Sequence, residues 1–219
     1  MSTRGLRSWR RPALQQIPVW VVAAVVAGSA GGVGVVVYVL AGISLRAAAA
    51  SVLMIGGVVA AVTLGALPGP GRRAAVIRIR QGAIAGLIAT VTYDSVRIAL
   101  ASRLGIAPFE VWAVFGELLV GESAPRPMVL AAGTAYHVAN GLGFAIAFSV
   151  LVKRSTWWKG LVFALALEAA MALLYPSWLR IQQLAEFYTV SLAGHVAYGS
   201  VLGAAVARMR RSRAARVNP

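Results

Sequence analysis

The chain has 219 residues, 59% apolar and only 12% charged, with a mean hydropathy of +0.78. A soluble domain carries about 25% charged residues and cannot keep this much apolar surface from water, so soluble globular and disordered classes are excluded. The 21 Lys and Arg outnumber the 6 Asp and Glu, giving a net charge of +15, and there is no cysteine, which removes disulfides and thiolate chemistry. The basic residues sit in short clusters between long apolar runs, the pattern of membrane loops and not of a nucleic-acid surface.

The composition therefore predicts an all-α polytopic transmembrane helix bundle. Residues 1–17 form a basic N-terminus with Arg4, Arg7, Arg10 and Arg11. Six runs reach the roughly 20 residues a helix needs to cross a bilayer core: about 18–42, 47–67, 81–101, 127–152, 156–176 and 189–207. None shows the alternation of a β-barrel strand. The first run continues well past the 7–15 apolar residues typical of a signal core, so it reads as a retained span. A shorter stretch, 107–121, carries Glu110 and Glu117 and is expected to be re-entrant or interfacial. Residues 177–188 alternate Trp178, Ile181, Leu184 and Tyr188 with Arg180, Gln182, Gln183 and Glu186, the pattern of an interfacial amphipathic helix. Residues 208–219 form a basic tail.

Charge sets the expected orientation. With six spans, the N-terminal arginines fall on one side together with Arg72, Arg73, Arg78 and Arg80, with Lys153, Arg154 and Lys159, and with Arg208, Arg210, Arg211, Arg213 and Arg216. Only Arg46, Arg103, Arg126 and Arg180 lie in the alternate loops, and Arg97 lies within a span. The positive-inside rule makes the rich side cytoplasmic, with both termini inside. Were 107–121 to cross, the 153–159 cluster would move outside, so the count argues for a non-spanning outer segment. Trp20, Trp157 and Trp158 fall at inner boundaries and Trp112 and Trp178 at outer ones.

Three GxxxG pairs, Gly28/Gly32, Gly82/Gly86 and Gly199/Gly203, predict close helix packing, within the bundle or across a homodimer face. Ionisable side chains inside a span are costly and mark candidate sites. Asp94, His137, Glu168 and His195 come from four different spans, and at a 1.5 Å rise they share a layer roughly 9–15 Å below the outer boundary. Tyr93, Tyr136, Asn140, Tyr175 and Tyr198 lie close to it. His137-Val-Ala-Asn140-Gly141 and His195-Val-Ala-Tyr198-Gly199 repeat one pattern, in which the glycine leaves room for a ligand or a neighbouring helix. Asp94 and Arg97 are three apart, as a self-neutralising pair or as two arms of a site.

Four uses fit such a layer. His137, Glu168 and His195 are a candidate ligand set for Zn, Fe or Mn in an intramembrane metalloenzyme acting on a lipidic substrate, although no HExxH or histidine box occurs. Two histidines on separate helices are also the minimum for a bis-histidine b-type haem, with Arg97 meeting a propionate. A proton-coupled transporter uses the same residue types, and a non-catalytic assembly protein uses them as glue between helices. The expectation taken forward is a site for a metal or small ligand, with His137, Glu168 and His195 as metal ligands and Asp94, Arg97, Asn140 and Tyr198 as further ligand-binding residues. The expected partners are membrane lipids and a second copy of the chain, and no nucleic acid.

The motifs Tyr93-Asp94-x-x-Arg97, Tyr136-His137-x-x-Asn140-Gly141 and Gly194-His195-x-x-Tyr198-Gly199 resemble those of small multi-pass bacterial membrane proteins without an assigned function. The resemblance covers about residues 80–207 and implies no activity. High alanine, valine and arginine usage points to a GC-rich bacterium and hence to its cytoplasmic (inner) membrane.

Overall fold

A computed structural model describes residues 17–105, 107, 110–174 and 184–217. All regular structure among them is α-helical: α1 (Val19–Gly28), α2 (Ala30–Ala41), α3 (Leu45–Gly65), α4 (Gly69–Leu104), α5 (Glu110–Val120), α6 (Arg126–Leu151), α7 (Trp157–Leu174) and α8 (Leu184–Val217). Five of these, α3, α4, α6, α7 and α8, are long and apolar enough to cross a membrane, and α1 with α2 makes a sixth if the bent pair is one span. The chain is thus an all-α polytopic membrane bundle. The basic N-terminus up to residue 16 and residues 175–183, which hold Tyr175 and most of the interfacial helix expected at 177–188, lie outside the described residues; Leu184–Tyr188 begin α8.

The first span is not the continuous run that its apolarity predicts. It breaks at Ser29, and α1 and α2 meet at a 67° bend. Hydropathy cannot register this break, because Gly28, Gly31 and Gly32 are apolar but weak helix formers. A Cβ on Gly28 would strike the backbone of Gly143 in α6, and one on Gly31 would strike the Asn140 side chain. The bend thus lies where the chain presses closest against α6.

Two helices outrun their apolar segments. With 36 residues, α4 is about 54 Å long at 1.5 Å per residue, against a hydrocarbon core of about 30 Å. It starts at Pro68–Pro70, runs through the four arginines before the predicted span, and stops at Gly105 in the left-handed region (φ 70°). The predicted basic tail is likewise not separate, since α8 continues through Arg208–Arg213 to Val217. Arginine is a good helix former, so a charged flank can extend a span without interrupting it.

These extensions meet at one end of the bundle. Arg213 lies beside Gly69, Pro70 and Arg73. Arg210 donates to the carbonyls of Ser149 (2.6 Å), Val152 (2.7 Å) and Lys153 (2.8 Å), capping the last turn of α6. Ser149 Oγ donates to the Arg78 carbonyl and Ser155 Oγ to that of Gly203. Three of the four basic clusters named above therefore share one end.

Packing at this end is backbone to backbone. Gly82 and Gly86 face Ala145 and its neighbours in α6, Gly160 faces Gly199 and Gly203, and Gly28 faces Gly143. The three GxxxG faces, considered above for a homodimer, are filled by helices of the same chain. The core is correspondingly small-grained, with Ala85, Ala89, Ala145 and Ala164 around Phe148, Leu202 and Val206. Leu53, Met54, Ile55, Val58 and Val62 of α3 face outward, as lipid-facing residues do. At the opposite end α5, eleven residues and too short to cross, lies against α6: Gly116 packs on Val129, and Gly133 on Trp112.

Candidate functional site

Four helices carry a stripe of residues at spacing four, one helix face repeating each turn. On α4 it reads Gly82, Gly86, Thr90, Asp94; on α6, Ser149, Ala145, Gly141, His137; on α7, Gly160, Ala164, Glu168; on α8, Gly203, Gly199, His195, Ser191. Each stripe begins among the small residues of the basic end and finishes on an ionisable or hydroxyl side chain. The faces that pack most closely at one end are therefore the faces that bring their polar residues together farther along.

They meet as two pairs. His137 Nε2 lies 2.9 Å from Asp94 Oδ1, both side chains about one-fifth exposed. Glu168 and His195 are more deeply buried: His195 Nδ1 lies 3.1 Å from Glu168 Oε2 and 3.0 Å from the Ser191 carbonyl, and Ser191 Oγ donates to Glu168 at 3.0 Å. Tyr93 joins the pairs, its ring 5.5 Å from that of His137 and 5.0 Å, edge-on, from that of His195. The Arg97 guanidinium lies over the same ring at 5.4 Å, and the residue is buried. The Asp94 carboxylate meets His137.

The three residues expected to hold a metal are distributed over two pairs. Among the described residues no three His, Asp or Glu side chains are grouped to hold a metal ion. Glu168 serves His195 and Ser191, Asp94 serves His137, and each histidine commits one nitrogen to its own carboxylate. A serine–histidine–acid relay is not formed either. Such a relay needs the acid on one ring nitrogen and the hydroxyl on the other, whereas the Ser191 hydroxyl donates to Glu168 and only the Ser191 carbonyl meets His195, at the same Nδ1 that faces Glu168.

Beside the pairs lies a cavity of about 270 Å³, bounded by α2, α4, α5, α6, α7 and α8. Its wall is mostly apolar and aromatic, with Trp112, Phe115, Phe144 and Phe187 among its rings. The polar part of the wall comprises Ser29, Thr90, Arg97, Asn140, the two histidines, and the tyrosines Tyr93, Tyr136 and Tyr198. Asp94, Glu168 and Ser191 are not in the wall; they stand behind it. Of the four residues expected to bind ligand, Arg97, Asn140 and Tyr198 line the cavity, and Asp94 only backs His137.

Several wall residues are fixed by helix contacts. Tyr198 donates to the Gly141 carbonyl (2.6 Å) and Tyr136 to that of Gly31 (2.8 Å). Trp112 stacks on His137 at 4.9 Å, so the short helix α5 reaches the polar layer. Gly199 is covered by Gly160 and Ala164, and Gly141 by Thr90. The glycines of the two repeated motifs thus make room for helices, although Gly141 also reaches the cavity wall. Thr90 Oγ1 is buried against Gly141, with no hydrogen-bond partner among the described residues.

Sequence reading missed Thr90, Ser191 and Trp112. The first two were accessible as members of the spacing-four stripes, four residues before Asp94 and His195 respectively. Trp112 carried no such signal, because a tryptophan in a short apolar segment also fits a membrane boundary.

A family described as "Family of unknown function (DUF6789)" matches residues 76–217, which include α5–α8 and nearly all of α4. The match covers well over half of the chain, and the chain belongs to this family. No curated protein and no solved structure matches the chain.

Proposed function

We propose that this DUF6789 member is a membrane-embedded binding protein that holds one small, mostly apolar molecule beside its two histidine–carboxylate pairs. The observation that carries this reading is the cavity of about 270 Å³ with its mostly apolar, aromatic wall and a few polar side chains. The volume is just below the range of about 300 Å³ and upward typical of small-molecule sites, and the mainly apolar wall with few polar groups is their usual composition.

The basic end faces the cytoplasm in this proposal, by the positive-inside rule, which puts the cavity in the outer half of a bacterial inner membrane. Entry is from the lipid. Val33 and Val36 of α2 line the cavity and are also exposed on the outside of the bundle. Across from them stand Leu167, Met171 and Leu174 of α7, a helix that packs chiefly on α8. Near the basic end α6 and α7 touch through Phe148 and Phe163, 5.3 Å apart, so the two helices close below the cavity.

The test is calorimetric titration of the protein in lipid nanodiscs with pentylbenzene, a probe without hydrogen-bonding groups. Leu167→Trp, which fills the cavity from its wall, is the control for partition into lipid. Saturable one-to-one binding in the wild type, weakened at least tenfold in Leu167→Trp, supports the proposal. Equal heats in both would contradict it.

A further inference from the structure

Resting on that cavity reading, we infer that the ligand is a hydrogen-bond donor: an apolar molecule carrying a ring hydroxyl, of the phenol class. The hydrogen-bond pattern behind the wall selects this class. A backbone carbonyl only accepts, so the contact between His195 Nδ1 and the Ser191 carbonyl requires a proton on Nδ1. In the neutral ring the lone pair is then on Nε2. Nδ1 faces Ser191 and Glu168, neither of which lines the cavity, and the His195 ring does line it. Nε2 is therefore the nitrogen left to the cavity, and it accepts.

The same reasoning applies to His137. Its Nε2–H donates to the Asp94 carboxylate, which stands behind the wall, and Nδ1 is left as a second acceptor. Two carboxylates, each set on the far nitrogen of a histidine, thus give the cavity wall two basic nitrogens. An ether or ketone oxygen brings no proton to either. A hydroxyl donates to one nitrogen. The aromatic wall explains the preference for a flat ring over an aliphatic alcohol: Trp112, Phe115 and Phe144 line the same space, and aromatic rings pack on one another at 4.5–7 Å.

The experiment compares 4-pentylphenol, 4-pentylanisole and pentylbenzene by titration into nanodiscs holding the wild type, His195→Phe or Leu167→Trp. The phenol is expected to bind the wild type about tenfold more tightly than the anisole. His195→Phe should erase that preference while keeping pentylbenzene binding. Equal affinity for phenol and anisole in the wild type, or a preference for the anisole, overturns the inference and leaves the cavity reading standing. Absence of saturable binding by all three probes overturns the cavity reading itself. Should His195→Phe fail to fold, the wild-type comparison of phenol with anisole still decides.

Discussion

The two ends of this bundle are built from the same four helices and have opposite textures. At the basic end, glycine and alanine bring backbones into contact: Gly160 lies on Gly199 and Gly203, and Gly82 on the α6 backbone. At the other end, the same helix faces carry Asp94, His137, Glu168 and His195, and bulky rings hold a cavity open. The difference teaches how a membrane protein without a hydrophobic force between helices can still place a polar site. Close packing fixes the crossing geometry at one end, and side chains two or three turns farther along the same face are thereby fixed as well.

The comparison breaks most visibly at Gly160. Gly160→Leu drives a side chain into the α8 backbone and should cost at least about 3 kcal/mol, read as loss of monodisperse protein on size exclusion. Gly57→Leu, at a glycine with open space around it, should stay within about 0.5 kcal/mol of the wild type in thermal unfolding. A neutral Gly160→Leu would mean that the basic end is not closed by backbone contact.

Next in size is the buried pair. Glu168→Ala leaves the Ser191 hydroxyl and the His195 Nδ1–H with one acceptor fewer, at an expected cost of about 2 kcal/mol. Asp94→Ala, acting on the more exposed pair, should cost about half as much. Equal losses would show that the two pairs do not differ in burial as the structure has them. At the basic end, Arg210→Ala removes three carbonyl contacts from the end of α6 and is expected to lower stability by about 1–2 kcal/mol, measured by thermal unfolding in detergent. The smallest effect is Tyr198→Phe. The Gly141 carbonyl lies within helix α6, so losing the tyrosine hydroxyl should cost about 0.5–1 kcal/mol.

Much of the architecture was legible in the sequence because lipid imposes it. Helices must be long and apolar, and charge must cluster at their ends, so composition and the basic clusters point to a polytopic bundle. The break at Ser29 was hidden, since glycine scores as apolar while lowering helix propensity. The continuation of α8 through Arg208–Arg213 was hidden for the opposite reason: the arginines end the apolar signal without ending the helix. At the site, the cost of ionisable groups in lipid identified Asp94, His137, Glu168 and His195 as members of one layer. Which carboxylate would take which histidine depends on ångström-scale differences between helix faces, and neither spacing nor depth encodes those. The same limit hid the role of Arg210, whose carbonyl partners lie about sixty residues away in the chain.

The central claim is that the aromatic end of the bundle encloses a ligand-sized space with its own binding chemistry. Calorimetric titration of 4-pentylphenol into the wild type and Leu167→Trp, side by side in nanodiscs, tests it most directly. One saturable site is expected in the wild type and at least tenfold weaker binding in Leu167→Trp, with the thermal midpoint of the unliganded variant at or above that of the wild type. Indistinguishable isotherms from two folded proteins would contradict it.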